Sequence, residues 1–139
     1  MNFLIDTNVI SEVRKGASCN PYVAAWFEAL DEPNLYVSVL VLGEIRRGVE
    51  RSRFKDPRKA RALETWLMTV GTSFASRILP VDHVVADEWG RMTAKRPVST
   101  VDGLLAATAK VNRMTLVTRN ISDVADLGAD VFDPFAQGN

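Results

Sequence analysis

FLIDTNVISEVRK, residues 3–15, joins a short apolar run to a helical start through one acidic residue. Phe3, Leu4 and Ile5 are apolar without interruption, which suits a strand buried on both faces. The run stops at Asp6, and Thr7 and Asn8 follow, both residue types that cap helices. The stretch therefore reads as a buried strand feeding a helix, with a carboxylate at the junction.

The same grammar recurs along the chain. Asn20-Pro21 opens a second helix, because proline's missing N–H costs nothing at the first helical position, and Val23, Trp26, Phe27 and Leu30 follow at helical spacing. Leu35 to Val37 is strand-like, after which Val41, Ile45 and Val49 fall four residues apart. Asp56-Pro57 starts a long helix through Trp66 and Val70. Ile78-Leu79 is a brief strand, and Asp82 caps a helix expected to reach about Lys95. Ser99 and Asp102 have the spacing of a capping box ahead of the alanine-rich LLAATAKV. Thr115 to Thr118 forms another strand, Val124 to Leu127 a single helical turn, and Val131-Phe132 a last strand. Short apolar strands alternating with helices predict an α/β three-layer fold, a mostly parallel central sheet flanked by helices.

The 139 residues suit one domain spanning 1–139, and 47% hydrophobic with 24% charged residues is ordinary globular usage. Seventeen basic residues cancel seventeen acidic ones, so any cationic surface for nucleic acid must be local. The lone Cys19 excludes an internal disulfide and the absence of a Cys/His cluster excludes a zinc site; a reducing cytoplasm is the expected compartment. Residues 1–20 lack the character of a signal peptide, and no apolar run approaches the roughly 20 residues of a membrane span.

In open parallel sheets, ligands bind outside the carboxyl ends of the strands. Asp6, Glu44, Asp102 and Asn120 each stand at a strand-to-helix junction or early in the helix that follows one, so the topology is expected to gather them at one sheet edge. Clustered carboxylates repel and are costly to bury unpaired, so a stable cluster implies a cation. Oxygen ligands without Cys or His suit Mg2+ or Mn2+, and such ions promote phosphodiester hydrolysis. Each residue also has a plainer reading: Asp6 and Asp102 as helix caps, Glu44 as a solvated side chain.

FLIDTNVISEVRK resembles the opening motif of PIN domains, in particular of VapC-type toxins. VSVLVLGEIRRGV, residues 37–49, is similar to the second acidic motif of that family, with Glu44 in place. STVDGLLAATAKVNRMTLVTRN, residues 99–120, resembles the third and fourth, and DVFDPF, residues 130–135, the closing strand. The resemblance implies a metal-dependent endoribonuclease and toxin, with Asp6, Glu44 and Asp102 as metal-binding carboxylates. It also implies an RNA substrate, an antitoxin of the VapB kind as partner, and a homodimer. The fourth position, an Asp in many relatives, falls here on Asn120, with Asp123 one turn further on as the other residue able to complete the site; Thr118 and Asn8 are candidates to position water or support the carboxylates.

Arg46 to Arg61 carries eight of the seventeen Lys and Arg residues against Glu50 and Asp56. It reads as a cationic face for RNA phosphates or an acidic partner segment, or simply as a solvated surface. His83 has no carboxylate partner at a motif position and is expected at the surface. Trp26, Trp66 and Trp89 are expected as core anchors. Two other functions are open to this pattern: an inactive or solitary PIN-like RNA-binding protein, and a phosphatase of the haloacid-dehalogenase type. The second expects another Asp two residues after the first, where this chain has Asn8.

Overall fold

In the computed structural model, residues 1–136 are described; the last three residues of the expected domain lie outside them. Five strands form one sheet in the order β3-β2-β1-β4-β5. They are β1 (Phe3–Ile5), β2 (Leu35–Ser38), β3 (Ile78–Leu79), β4 (Thr115–Val117) and β5 (Asp130–Phe132). All four neighbouring pairs are parallel, with Leu4 registered against Tyr36 on one side and Leu116 on the other. The sheet is thus parallel throughout.

Side-chain alternation along these strands builds the two faces. Leu4 and Leu116 point into one cluster with Val85, Met92, Leu105 and Val124, while Ile5, Val37 and Val117 point into the other with Val9, Val23, Val41, Ile45 and Val70. The first cluster is covered by α5 (His83–Thr93), α6 (Thr100–Val111) and α7 (Ile121–Val124). The second is covered by α1 (Thr7–Arg14), α2 (Pro21–Glu28), α3 (Val39–Lys55) and α4 (Pro57–Ser73). Because both faces are buried, the strands are apolar and not half polar.

The helix starts follow the expected caps. Asn20, Asp56 and Asp82 each accept a backbone N–H in the first turn of α2, α4 and α5, a contribution of about 1 kcal/mol per cap. Helix α1 differs: Asp6 itself is its cap and accepts from the Thr7 N–H at 2.6 Å, so Thr7 and Asn8 are free to use their side chains elsewhere. The helical turn expected at Val124 to Leu127 lies earlier, at Ile121–Val124, because Asn120 and not Asp123 marks its start. Helix α5 ends at Thr93 and α2 at Glu28, short of Lys95 and Leu30.

Helix α6 stops in a way that delivers β4. Arg113 takes a left-handed φ of 57°. Its N–H donates to the Lys110 carbonyl, and the Met114 N–H reaches back to the Ala109 carbonyl at 2.8 Å. This is the Schellman pattern with arginine where glycine is usual. At the other end of α6, Gly103 allows α5 to pack close: a Cβ there would meet the Trp89 ring and the Thr93 methyl at 3.0 Å. No helix among the described residues is long and apolar enough to cross a membrane.

Candidate active site

The chain departs from β1 in one direction to build β2 and β3 and returns on the other side to build β4 and β5. The crevice outside β1 and β4 is therefore the switch point of the sheet, where an open parallel sheet exposes loop side chains to a ligand. Asp6 leaves β1 there, and Thr118 and Asn120 leave β4 beside it.

Asp6 is only 6% exposed. Its Oδ1 accepts the Thr7 N–H, and its Oδ2 accepts the Thr118 hydroxyl at 2.8 Å and the Asn8 amide at 3.3 Å. Thr118 has one proton to give and gives it to Asp6, while its oxygen accepts from Asn8 Nδ2 at 3.3 Å and from the Asn120 N–H at 3.0 Å. The Asn8 carbonyl oxygen takes the Arg119 N–H at 3.1 Å. Three residues from α1 and the β4 loop, Thr7, Asn8 and Thr118, thus lock the Asp6 carboxylate in one orientation.

Glu44 joins through Thr7, whose hydroxyl donates to Glu44 Oε1 at 2.6 Å. Sequence reading treated Thr7 only as a cap; the signal it lacked was that Asp6 takes over capping and frees the Thr7 hydroxyl. Asp102 lies in the first turn of α6, where its N–H donates to the Ser99 hydroxyl oxygen at 3.4 Å. No return bond from the Ser99 N–H to its carboxylate completes a capping box among the described hydrogen bonds.

Asp6 feels the charges of the other two carboxylates. Burial raises the Asp6 carboxyl above its ordinary value, against the bonds from Thr118 and Thr7, and the charges of Glu44 and Asp102 push it further in the same direction. Burial also raises Asp102; its hydrogen bond with the Ser99 side chain opposes the shift and the charge of Asp123 adds to it. Asn120 is exposed and contributes its backbone N–H to Thr118. Asp123 is exposed too, but its field reaches Asp102.

The donor set fits a hard divalent cation in chemistry. Asp6, Glu44 and Asp102 offer oxygens only, and none of them enters an ion pair among the described residues. A positive partner is what the buried Asp6, under the charge of the two half-buried carboxylates, lacks. No group of three His, Cys, Asp or Glu among the described residues closes into a ready-made cage.

His83 is exposed at the start of α5. Trp26 packs edge-on against Phe3 and tilted against Phe132, Trp66 lies under the Arg14 guanidinium, and Trp89 covers Gly103 with its indole N–H unpartnered. The basic stretch is partly neutralised by a residue outside it. Arg46 and Arg53 are tied to Glu50 and to Glu64 of α4, leaving Arg47, Arg51, Lys55, Arg58, Lys59 and Arg61 without an ion pair among the described residues. An apolar cavity of about 350 Å³, lined among others by Ile10, Phe27, Trp66 and Val70, opens between α1, α2 and α4, and Asp6, Glu44 and Asp102 are not among its lining residues.

The PIN domain family model matches residues 3–126. The chain is 33% identical over 138 residues to Toxin FitB of Neisseria gonorrhoeae, covering 95% of this chain and 97% of that protein. It is 28% identical over 144 residues to the VapC ribonuclease Y4jK of Sinorhizobium fredii, covering 95% and 96%. Among solved structures, that of FitAcB from Neisseria gonorrhoeae superposes with a TM-score of 0.85 at 32% identity, covering 96% of this chain and 98% of the other. The three-layer parallel fold, the polar cluster at its switch point and these full-length similarities agree: the chain belongs to the PIN domain family.

Proposed function

We propose that this chain is the toxin of a toxin–antitoxin pair and acts as an endoribonuclease that uses Mg2+, or Mn2+, at Asp6, Glu44 and Asp102. The observation that carries the reading is the hydrogen-bonded chain Thr118–Asp6–Thr7–Glu44, which fixes two carboxylates from different elements at the switch point of the sheet. Full-length similarity to a protein named as a toxin and to one named as a VapC ribonuclease supports it.

A bound divalent cation would neutralise charge on a phosphodiester and make its attacking water a stronger nucleophile. The protein's part is positioning. Thr118 and Asn8 keep both Asp6 oxygens directed, Thr7 does the same for Glu44, and Asp102 brings a third charge from the N-terminal turn of α6. Three helices, α1, α3 and α6, and the sheet edge hold these groups, so little reorganisation accompanies reaction. Asn120 and Asp123 compete for the fourth position, the first through its place beside Thr118, the second through its charge toward Asp102.

The reading includes a homodimer in the cytoplasm and an antitoxin that docks beside the α3–α4 helices; the apolar cavity against α4 supplies a place for hydrophobic side chains of such a partner. Induced expression in a bacterial host tests the toxin assignment. Growth arrest by the wild type and normal growth with Asp102→Asn at equal protein level are expected; normal growth with both overturns it.

A further inference from the structure

Helix α3 carries two stripes of charge with different fates. Arg46, Glu50 and Arg53 recur at spacings of four and three, and with Glu64 of α4 they form a closed network of four ion pairs. Glu44, Arg47, Arg51 and Phe54 recur at three, four and three, which places them on another face of the same helix. Arg47 and Arg51 are exposed and have no ion pair among the described residues, and Lys55 continues the stripe. Phe54 stands near the end of it with 93% of its surface in water. The stripe thus begins at a candidate catalytic carboxylate and ends about 15 Å further along the helix axis at an aromatic platform.

We propose that this face of α3 is a track for single-stranded RNA leading out of the active site, with Arg47 and Arg51 on successive phosphates and a base stacked on Phe54. The proposal rests on the ribonuclease reading and adds to it the route of the substrate and a strand preference. Unpaired guanidinium groups followed by an exposed ring are what a single strand recognises: phosphates pair with the cations, and any base offers a π-face to the ring. A duplex keeps its bases stacked inside and cannot use Phe54. The neighbouring Arg46–Glu50–Arg53 stripe has the same helix and almost the same composition, but its charge is already spent on Glu50 and Glu64.

The test uses the full chain with Asp6→Asn to prevent cleavage, a fluorescent single-stranded RNA 12-mer and its duplex, and anisotropy titrations over a range of salt. Arg47→Gln/Arg51→Gln is expected to lower the slope of log K against log salt by about 1.4, from about 0.7 for each single-strand phosphate. Phe54→Ala is expected to weaken single-strand binding roughly tenfold with little change in slope, and Phe54→Trp to restore it. Arg46→Gln/Arg53→Gln, with the same change in net charge, is expected to move the slope far less. Equal slopes for the two double variants, or unchanged single-strand affinity for Phe54→Ala, overturns the track. So does a Phe54→Ala effect confined to dimer formation or to capture of an acidic peptide. If the Asp6→Asn chain binds neither RNA at low salt, the ribonuclease reading falls, and the track with it.

Discussion

Thr118 gives its only hydroxyl proton to Asp6 Oδ2 at 2.8 Å, although 112 residues separate the two in sequence. The bond spans the switch point of the sheet, from the loop after β4 to the end of β1, and Asn8 and the Asn120 N–H fill the acceptor capacity of the same hydroxyl.

Thr118→Val, close in shape, removes the donor and leaves Asp6 Oδ2 and the Asn120 N–H each short of a partner. A loss of about 1–3 kcal/mol is expected by denaturant titration, together with reduced RNA cleavage by the folded variant. Thr118→Ser is expected to retain most of both. Equal stability and activity for the valine variant would show that the bond does not matter.

Thr7 makes a narrower prediction, because its hydroxyl touches Glu44 and not the core. Thr7→Ser keeps the donor and is expected to cleave RNA at close to the wild-type rate; Thr7→Val is expected to lose roughly 10-fold or more, the scale of about 1.4 kcal/mol in positioning. The measurement is initial cleavage rate at saturating metal. A valine variant as fast as the serine variant contradicts the role.

Asp6 predicts a pH dependence whose sign follows from its shift. Burial raises its native pKa above the ordinary 3.8, so the native state holds the proton to higher pH than the unfolded chain. The stability linked to that proton is full below the ordinary value and is lost as pH rises through the raised native value. Metal-free wild type is therefore expected to melt below Asp6→Asn at neutral pH, with the gap closing toward about pH 4. Saturating Mn2+ is expected to raise the wild-type Tm and leave the Asn variant nearly unmoved. A gap that widens on acidification overturns the argument.

Most of the fold is legible in local sequence, because each element has a local cause. Apolar triplets make the buried strands, and Asp or Asn followed by proline starts α2 and α4. What local pattern does not carry is competition between adjacent caps. Asp6, Thr7 and Asn8 are all able to cap α1; only the packed structure shows Asp6 capping while Thr7 turns to Glu44 and Asn8 to Thr118. The basic stretch is legible only in part, because Glu64, which neutralises Arg46 and Arg53, arrives from the next helix.

Asn120 and Asp123 are separated by calorimetry with Mn2+. With Asn120 at the fourth position, beside Thr118, Asn120→Asp is expected to tighten binding by adding a fourth carboxylate and Asp123→Ala to leave it nearly unchanged. The opposite ranking, Asp123→Ala weakening binding several-fold while Asn120→Asp helps little, would assign the position to Asp123, whose charge acts on Asp102. Identical affinities in wild type and both variants would mean that three carboxylates suffice.

The central claim is a metal-dependent ribonuclease centred on Asp6, Glu44 and Asp102. It is tested most directly by incubating the purified chain, freed of any antitoxin, with total RNA in Mg2+ or Mn2+ and in excess EDTA, alongside Asp102→Asn. Cleavage with metal, leaving 5′-phosphate ends, and none in EDTA or with the variant is the predicted result. Equal cleavage by the wild type in EDTA, or by Asp102→Asn with metal, would contradict it.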